Sequence, residues 1–238
     1  MSAVRALVIT GPGTNRDPDM SLALRLAGAE PRTVRVDELV AGDSLLESAA
    51  LAVVAGGFSH GDAHGAGRLL ALELEVGLGH RLADFVDAGG MLLGVCNGFQ
   101  VLTRAGLLPG ALGHNDAGRF ICDWVELDAV ADSVCCWTAG LTATVHCPIA
   151  HGEGRYVHPD PAALAADGRV ALRYAGANPN GSVDAIAGVS DATGRILGLM
   201  PHPENHVLPR QHPRRRHVDA ERHLGLHIIA NGVRHARR

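Results

Sequence analysis

Three stretches place reactive side chains at spacings that suit chemistry. In MLLGVCNGFQVLTRAGLL (91–108), Cys96 stands between Gly94 and Gly98, after an apolar run and before a helix-like pattern. This is the strand–elbow–helix arrangement G-x-Nuc-x-G. A nucleophile at so tight a turn needs neighbours without side chains, and the helix start favours thiolate and offers free N–H groups. The alternative is a buried structural cysteine beside two packing glycines. In RILGLMPHPENHV (195–207), His202 and Glu204 stand two apart, flanked by Pro201 and Pro203. Extended chain projects residues i and i+2 to one side, so Glu204 can orient the His202 ring as the base a thiol nucleophile needs. The rivals are a zinc pair of His202 with His206, which needs a helix that Pro203 opposes, and a plain surface-loop histidine. In GGFSHGDAHGAG (56–67), His60, Asp62 and His64 alternate among five glycines. That reads as a metal site, as a phosphate cradle, or as a backbone feature in which the histidines are incidental. GPGTNRD (11–17) fails as a dinucleotide fingerprint because Arg16 stands where the third glycine belongs, and no P-loop motif occurs.

The elements that must position these residues are short apolar runs ending at glycine or turn clusters: 6–10, 33–36, 51–57, 91–95, 169–174 and 195–200. Helical periodicity fills 20–29 and 68–89. Apolar strands alternating with amphipathic helices predict an α/β fold, a sheet covered on both faces with ligands bound beyond the strands' carboxyl ends. The irregular middle, 112–168, is expected to add antiparallel strands. No repeat or interdomain linker is seen, so the reading is one domain over 1–238, with a basic extension from about 209.

Composition narrows the function further. The 238 residues are 47% hydrophobic and 19% charged, a globular balance. Aromatics make up 3%, too few for a base-stacking surface, and the absence of Lys rules out Schiff-base chemistry. The net charge of −4 hides an asymmetry: from Arg210 onward eight Arg face Asp219 and Glu221, a balance of +6 that leaves −10 on residues 1–209. The run Arg214–Arg216 is a candidate nucleic-acid contact or, more simply, a solvated helix end with Asp219 as cap and Leu224, Ile228 and Ile229 on the buried face. Neither nucleic-acid binding nor membrane attachment is expected, since no apolar segment approaches the roughly 20 residues that span a bilayer. The N-terminal run suits a cytoplasmic β-strand better than a signal peptide. Five cysteines without a C-x-x-C pair point to a reducing compartment and away from disulfides or a zinc ribbon.

Cysteine at an elbow followed far downstream by His-x-Glu resembles the class I (triad-type) glutamine amidotransferases. GGFSHGD (56–62), LGVCNGFQVLTRAGLLPGAL (93–112), PIAHGEGRYV (148–157) and NPNGSVDAIAGVSDATGRILGLMPHPE (178–204) narrow the resemblance, in order along nearly the whole chain to about 208. They resemble the family of glutaminase subunits of phosphoribosylformylglycinamidine synthase. The resemblance implies a flavodoxin-like fold with a mostly parallel sheet. It implies glutamine hydrolysis through a γ-glutamyl thioester on Cys96, with His202 moving the proton and Glu204 orienting it. Backbone N–H groups of Gly57 and Asn97 would hold the oxyanion; Gln100, His151, Gly152 and Glu153 would line the glutamine pocket. It implies no metal or cofactor in this chain, with ATP and magnesium on a partner synthetase that receives the ammonia. A further partner it implies is a small bridging subunit. A paralogue serving a different synthetase is the alternative, because the loop departs from the family's pattern at Ala55, His60 and Ala63–Gly65, as does the first turn at Arg16.

Overall fold

Buried aliphatic runs make the sheet, and amphipathic segments between them cover it. The computed structural model describes residues 3–237. The first half of the chain runs β1 (Val4–Thr10), α1 (Asp17–Leu26), β2 (Ala29–Arg35), α2 (Val36–Ala41), α3 (Asp43–Glu47), β3 (Leu51–Val54), α4 (Arg68–Leu78), α5 (Arg81–Asp87), β4 (Met91–Val95) and α6 (Asn97–Arg104). The second half runs β5 (Ala111–Gly113), β6 (Ile121–Ala129), β7 (Val145–His151), β8 (Arg155–Val157), α7 (Pro161–Ala166), β9 (Val170–Ala175), β10 (Ile186–Ser190), β11 (Ile196–Leu199) and α8 (Leu226–Ala236).

Among the described residues the main sheet has the order β2-β1-β3-β4-β11-β10-β9-β6-β7. The β2-β1-β3-β4-β11 block is parallel, in the flavodoxin-like order with β11 in fifth place. Every residue of β3, β4 and β11 is buried, which is why these strands read as continuous apolar runs without alternation. The remaining four strands pair antiparallel; this is expected for β6 and β7 in the irregular middle, whereas β9 and β10, beyond 168, are not foreseen as antiparallel. β5 and β8 form a separate two-stranded ribbon.

Register fixes the functional edge. Ile9 lies beside Val54, Val54 beside Gly94, and Val95 beside Leu199, so the segments after β1, β3, β4 and β11 leave the sheet side by side. β7 is last in hydrogen-bond order, yet it returns to this edge: the His202 N–H donates to Pro148 O at 2.8 Å.

Three expectations change. The periodic stretch 68–89 is two helices, broken where Gly79 adopts φ +54°, a left-handed conformation that glycine takes at little cost. The helix expected over 20–29 ends at Leu26, and Ala29 already opens β2. Asp219 does not cap the last helix. It accepts from Arg222 N–H at 3.4 Å in a separate turn, while α8 starts at Leu226 behind Gly225, with Ile228 and Ile229 fully buried.

Candidate active site

The elbow at Cys96 is built by sterics. Cys96 has φ +49° and ψ −105°, a strained conformation for a residue with a Cβ. A Cβ on Gly94 would come within 2.7 Å of Gly98 O, and one on Gly98 would run into the Val54 carbonyl. Both neighbours must therefore be glycine for β3, β4 and α6 to pack. Cys96 N–H donates to Leu199 O at 2.8 Å, and Cys96 O accepts the Gln100 N–H at 3.1 Å as α6 begins. The thiol is nearly buried, and Sγ faces Ala150 O at 3.8 Å.

The segment after β11 brings in the base. His202 and Glu204 are both buried, and the His202 Nδ1–H donates to Glu204 Oε1 at 2.7 Å. That leaves Nε2 for the sulfur. Burial alone would favour a neutral ring, but the charges of Glu204 and Cys96 and hydrogen bonds to both override it, pushing the His202 pKa up to about 10. A Cβ on Gly56 would meet His202 Cε1 at 2.9 Å, so Gly56 makes room for this ring. The structure thus unites Cys96, His202 and Glu204.

Beside Cys96 lies a cavity of about 200 Å³, bordered by Gly57, Gln100, His151, Gly152, Glu153 and Asp62 among others. It is smaller than the roughly 300–1,000 Å³ typical of drug-sized sites, a fit for an amino acid. Larger clefts occur elsewhere, none lined by these residues. Gly57 stands at φ +129°, and an added Cβ would lie 2.7 Å from Asn15 N, so both the backbone and its surroundings call for glycine.

Asn97 is buried and ties two loops together. Its Oδ1 accepts from Ser59 Oγ at 2.6 Å, and its Nδ2 donates to Asp62 Oδ1 and Gln100 Oε1 at 3.2 and 3.0 Å. Gln100 Nε2 donates to Glu153 O at 2.6 Å. Both functional ends of Gln100 are therefore engaged with protein, and it shapes the pocket wall while its amide stays tied to the chain.

Asn115, which holds the pocket residue His151 in place, is a residue that sequence reasoning missed. Its Oδ1 accepts from His151 Nδ1–H and from Gly154 N–H, both at 3.0 Å, and its Nδ2 donates to His151 O at 2.8 Å. HNDAGR around it carries no signal of this role, because His151 and Gly154 lie 36 and 39 residues away; its local side-chain bond is to Arg119 O at 2.9 Å. His151 is kept neutral, with a pKa lowered to about 4 by burial and then by the positive charge on His202.

The side chains of the alternating His-Asp-His loop do not come together. His60 Nε2 lies 3.0 Å from Glu73 Oε1, Asp62 faces Asn97, and His64 is exposed. Among the described residues no three His, Cys, Asp or Glu side chains converge to hold an ion. The alternation has a backbone cause: His60, Asp62 and His64 all have positive φ, near +53°, +54° and +63°, and His and Asp tolerate that region better than most residues. His206 likewise faces away from His202, donating from Nδ1 to His146 O at 2.7 Å.

A cysteine on a strained elbow facing a buried histidine–carboxylate pair, on a flavodoxin-like sheet, defines a class of thiol-dependent α/β enzymes. Comparison with known proteins narrows the class. Residues 3–236 match the CobB/CobQ-like glutamine amidotransferase domain, and the chain belongs to that family. It is 40% identical to phosphoribosylformylglycinamidine synthase subunit PurQ of Dehalococcoides mccartyi, covering 100% of this chain and 99% of that one. Identity is 45% to the protein of the same name from Nocardia farcinica, over 86% and 88% of the two chains. Among solved structures, PurLQS from Thermotoga maritima aligns at TM-score 0.80 and 34% identity, covering 98% and 99%. A glutamine amidotransferase from the same organism shares the fold alone, at TM-score 0.56 and 17% identity over 99% and 96% of the two chains. No helix among the described residues is long and apolar enough to cross a membrane.

Proposed function

We propose that this single-domain chain is the glutaminase subunit of a phosphoribosylformylglycinamidine synthase, with Cys96, His202 and Glu204 as its triad. The observation that carries the reading is the Cys96 elbow facing the His202–Glu204 pair beside an amino-acid-sized cavity. Naming of the relatives as synthase subunits supports the pathway and the partner.

The chemistry follows from the charges. His202, oriented by Glu204, takes the proton of the Cys96 thiol and becomes an imidazolium beside the thiolate nucleophile. The Cys96 thiolate adds to the side-chain carbonyl of glutamine, and the oxyanion takes hydrogen bonds from the backbone N–H groups of Gly57 and Asn97. Losing one such donor costs about 2.7–4 kcal/mol of transition-state stabilisation. His202 then gives its proton to the departing nitrogen, the C–N bond breaks, and ammonia leaves a γ-glutamyl thioester. Neutral His202 next takes a proton from water as the hydroxyl adds to the thioester carbonyl. Collapse expels the thiolate; glutamate departs and the pair is restored. Glu204 holds the ring's tautomer and its charge throughout. His151, Gly152 and Glu153 form the outer wall.

Ammonia must reach its acceptor without protonation in water, so the chain acts bound to a synthetase that carries the ATP and magnesium chemistry and formylglycinamide ribonucleotide. A small bridging subunit completes the assembly. A thiolate enzyme with five free cysteines suits the cytoplasm. The test is ammonia release from glutamine, with and without the cognate synthetase, combined with mapping of a glutamine-shaped alkylator. Label on Cys96 and release that depends on the partner support the reading; label on any other cysteine overturns it.

A further inference from the structure

The two N–H groups assigned to the oxyanion come from separate parts of the chain. Gly57 lies just beyond β3, and Asn97 is the first residue of α6. To act together, both must lie about 2.7–3.1 Å from one oxygen atom. Strand pairing does not reach that far, since the β3–β4 register ends at Val54 and Gly94. The backbone of the Gly57 loop is fastened on its other side, to the turn after β1. Gly57 bridges to Thr14, Gly56 O accepts from Arg16 N–H at 3.3 Å, and His60 N–H donates to Pro12 O. Among the described residues, every hydrogen bond from residues 57–62 to the elbow or α6 runs through one side chain, that of Asn97.

Ser59 is the other half of that connection. It is as deeply buried as Asn97, and both its backbone N–H and its hydroxyl donate to Asn97 Oδ1, at 3.4 and 2.6 Å. A backbone N–H can only donate, so the amide oxygen of Asn97 must face Ser59, and its Nδ2 must face Asp62 Oδ1 and Gln100 Oε1. Gln100 in turn donates from Nε2 to Glu153 O at 2.6 Å. One directed chain of donors therefore runs from the loop after β3, through α6, to the wall after β7. The loop needs such a restraint. His60 and Asp62, on either side of Gly61, hold φ +53° and +54°, a left-handed backbone that persists only where the surroundings impose it.

We infer that Ser59 is a positioning residue for the reaction: through the Asn97 side chain it holds the Gly57 N–H at the spacing from the Asn97 N–H that the oxyanion requires. The inference rests on the glutaminase reading above, with its two oxyanion donors, and adds to it the residue that keeps them in register. The oxyanion forms only as the thiolate adds, so Ser59 acts on turnover and hardly on glutamine affinity. A misplacement of about 1 Å costs on the order of 100-fold in rate. Truncating Ser59 leaves both backbone N–H groups in the chain and only loosens their spacing, so its cost should be about 10- to 100-fold.

The test measures ammonia release by the complex with the synthetase, together with alkylation of Cys96 by iodoacetamide, a displacement that forms no oxyanion. In Ser59→Ala, kcat should fall about 10- to 100-fold while KM and the alkylation rate stay within about twofold. Ser59→Thr, which keeps the hydroxyl, should recover most of the turnover. Asn97→Ala keeps its backbone N–H, and adding Ser59→Ala to it should cost nothing more, because one bridge can be broken only once. Ser59→Cys, with a weaker donor, takes the place of Ser59→Ala should the latter fail to fold. Three outcomes overturn the inference and leave the glutaminase reading standing: an unchanged kcat in Ser59→Ala, a loss expressed in KM or in alkylation instead, or independent losses in the double variant. A complex of the unaltered protein that releases no ammonia from glutamine overturns that reading, and the inference with it.

Discussion

Two histidine environments lie four residues apart, and their electrostatics are opposite. His202 is buried, donates to the buried Glu204 carboxylate at 2.7 Å, and is pushed up to about 10. His206 is equally buried but belongs to a cluster of its own kind. His146 Nδ1 faces His212 Nε2 at 3.0 Å, the His146 and His223 rings stack at 4.2 Å, and Trp124 lies edge-on to His206 and His212. The nearest carboxylate is Glu126, half exposed, 4.0 Å from His146 and shared with Arg214 at 3.3 Å. Burial first, then the other histidines' charges, lower the pKa of His146 to about 4 and that of His206; His212 is lowered by burial, then by Arg214 and His223. The comparison teaches that burial pushes every imidazole toward neutrality, and only a buried carboxylate in contact reverses the sign. One set of rings is built to carry a proton, the other to fasten the C-terminal segment beneath the catalytic loop.

The largest break in this contrast comes from Glu204→Gln. It makes the surroundings of His202 resemble those of the cluster, so the imidazolium is lost and ammonia release falls by ~10⁴-fold, the scale seen when a triad loses its orienting carboxylate. A His202 that still titrates near 10 by NMR in this variant would overturn the electrostatic account.

Acid should separate the two environments next. For His146, the folded pKa of about 4 lies below the ordinary 6.5, so the unfolded chain binds protons first. Its contribution to stability is present above 6.5 and is lost as pH falls toward 4; His151 behaves alike. For His202 the sign reverses: its contribution is full below 6.5 and is lost as pH rises through about 10. Urea midpoints should therefore fall on both sides of neutrality. In His146→Gln the acid-side decline should be shallower, and an unchanged slope would remove the cluster from the explanation.

A smaller effect is expected for His206→Leu. It removes the donor to His146 O and leaves that buried carbonyl unsatisfied, costing about 1–3 kcal/mol and lowering the melting temperature by several degrees. Turnover per folded molecule should drop far less than in Glu204→Gln. Equal losses would mean that the cluster takes part in the chemistry. The smallest effect is reserved for His64→Ala. This exposed side chain lies off the cavity border, so stability should stay within about 0.5 kcal/mol and ammonia release should be nearly unchanged.

The site was legible in the sequence where its cause is local. Gly94 and Gly98 flank Cys96 because the elbow leaves no room for a Cβ, and Pro201 and Pro203 stiffen the segment that carries His202 and Glu204. The basis of Gly57 was not legible. An added Cβ there would collide with Asn15, which is far away in sequence and adjacent only in the fold. The alternation of His60, Asp62 and His64 imitated a metal motif because positive φ selects the same residue types that ligate metals. Asn115 and the engaged amide of Gln100 escaped notice because their partners are drawn from β7 and the loop after it. The helix expected over 68–89 failed at Gly79, where the apolar period carries no mark of the reversal.

By itself the sequence determined which atoms could react and on which sheet edge they would gather, since glycine sterics, proline stiffness and strand periodicity act over a few residues. Only the tertiary structure decided which histidine holds a proton and which are kept neutral. Those properties are set by charges and burial contributed from distant parts of the chain, and Coulomb interactions depend on separation in space, which sequence spacing does not reveal.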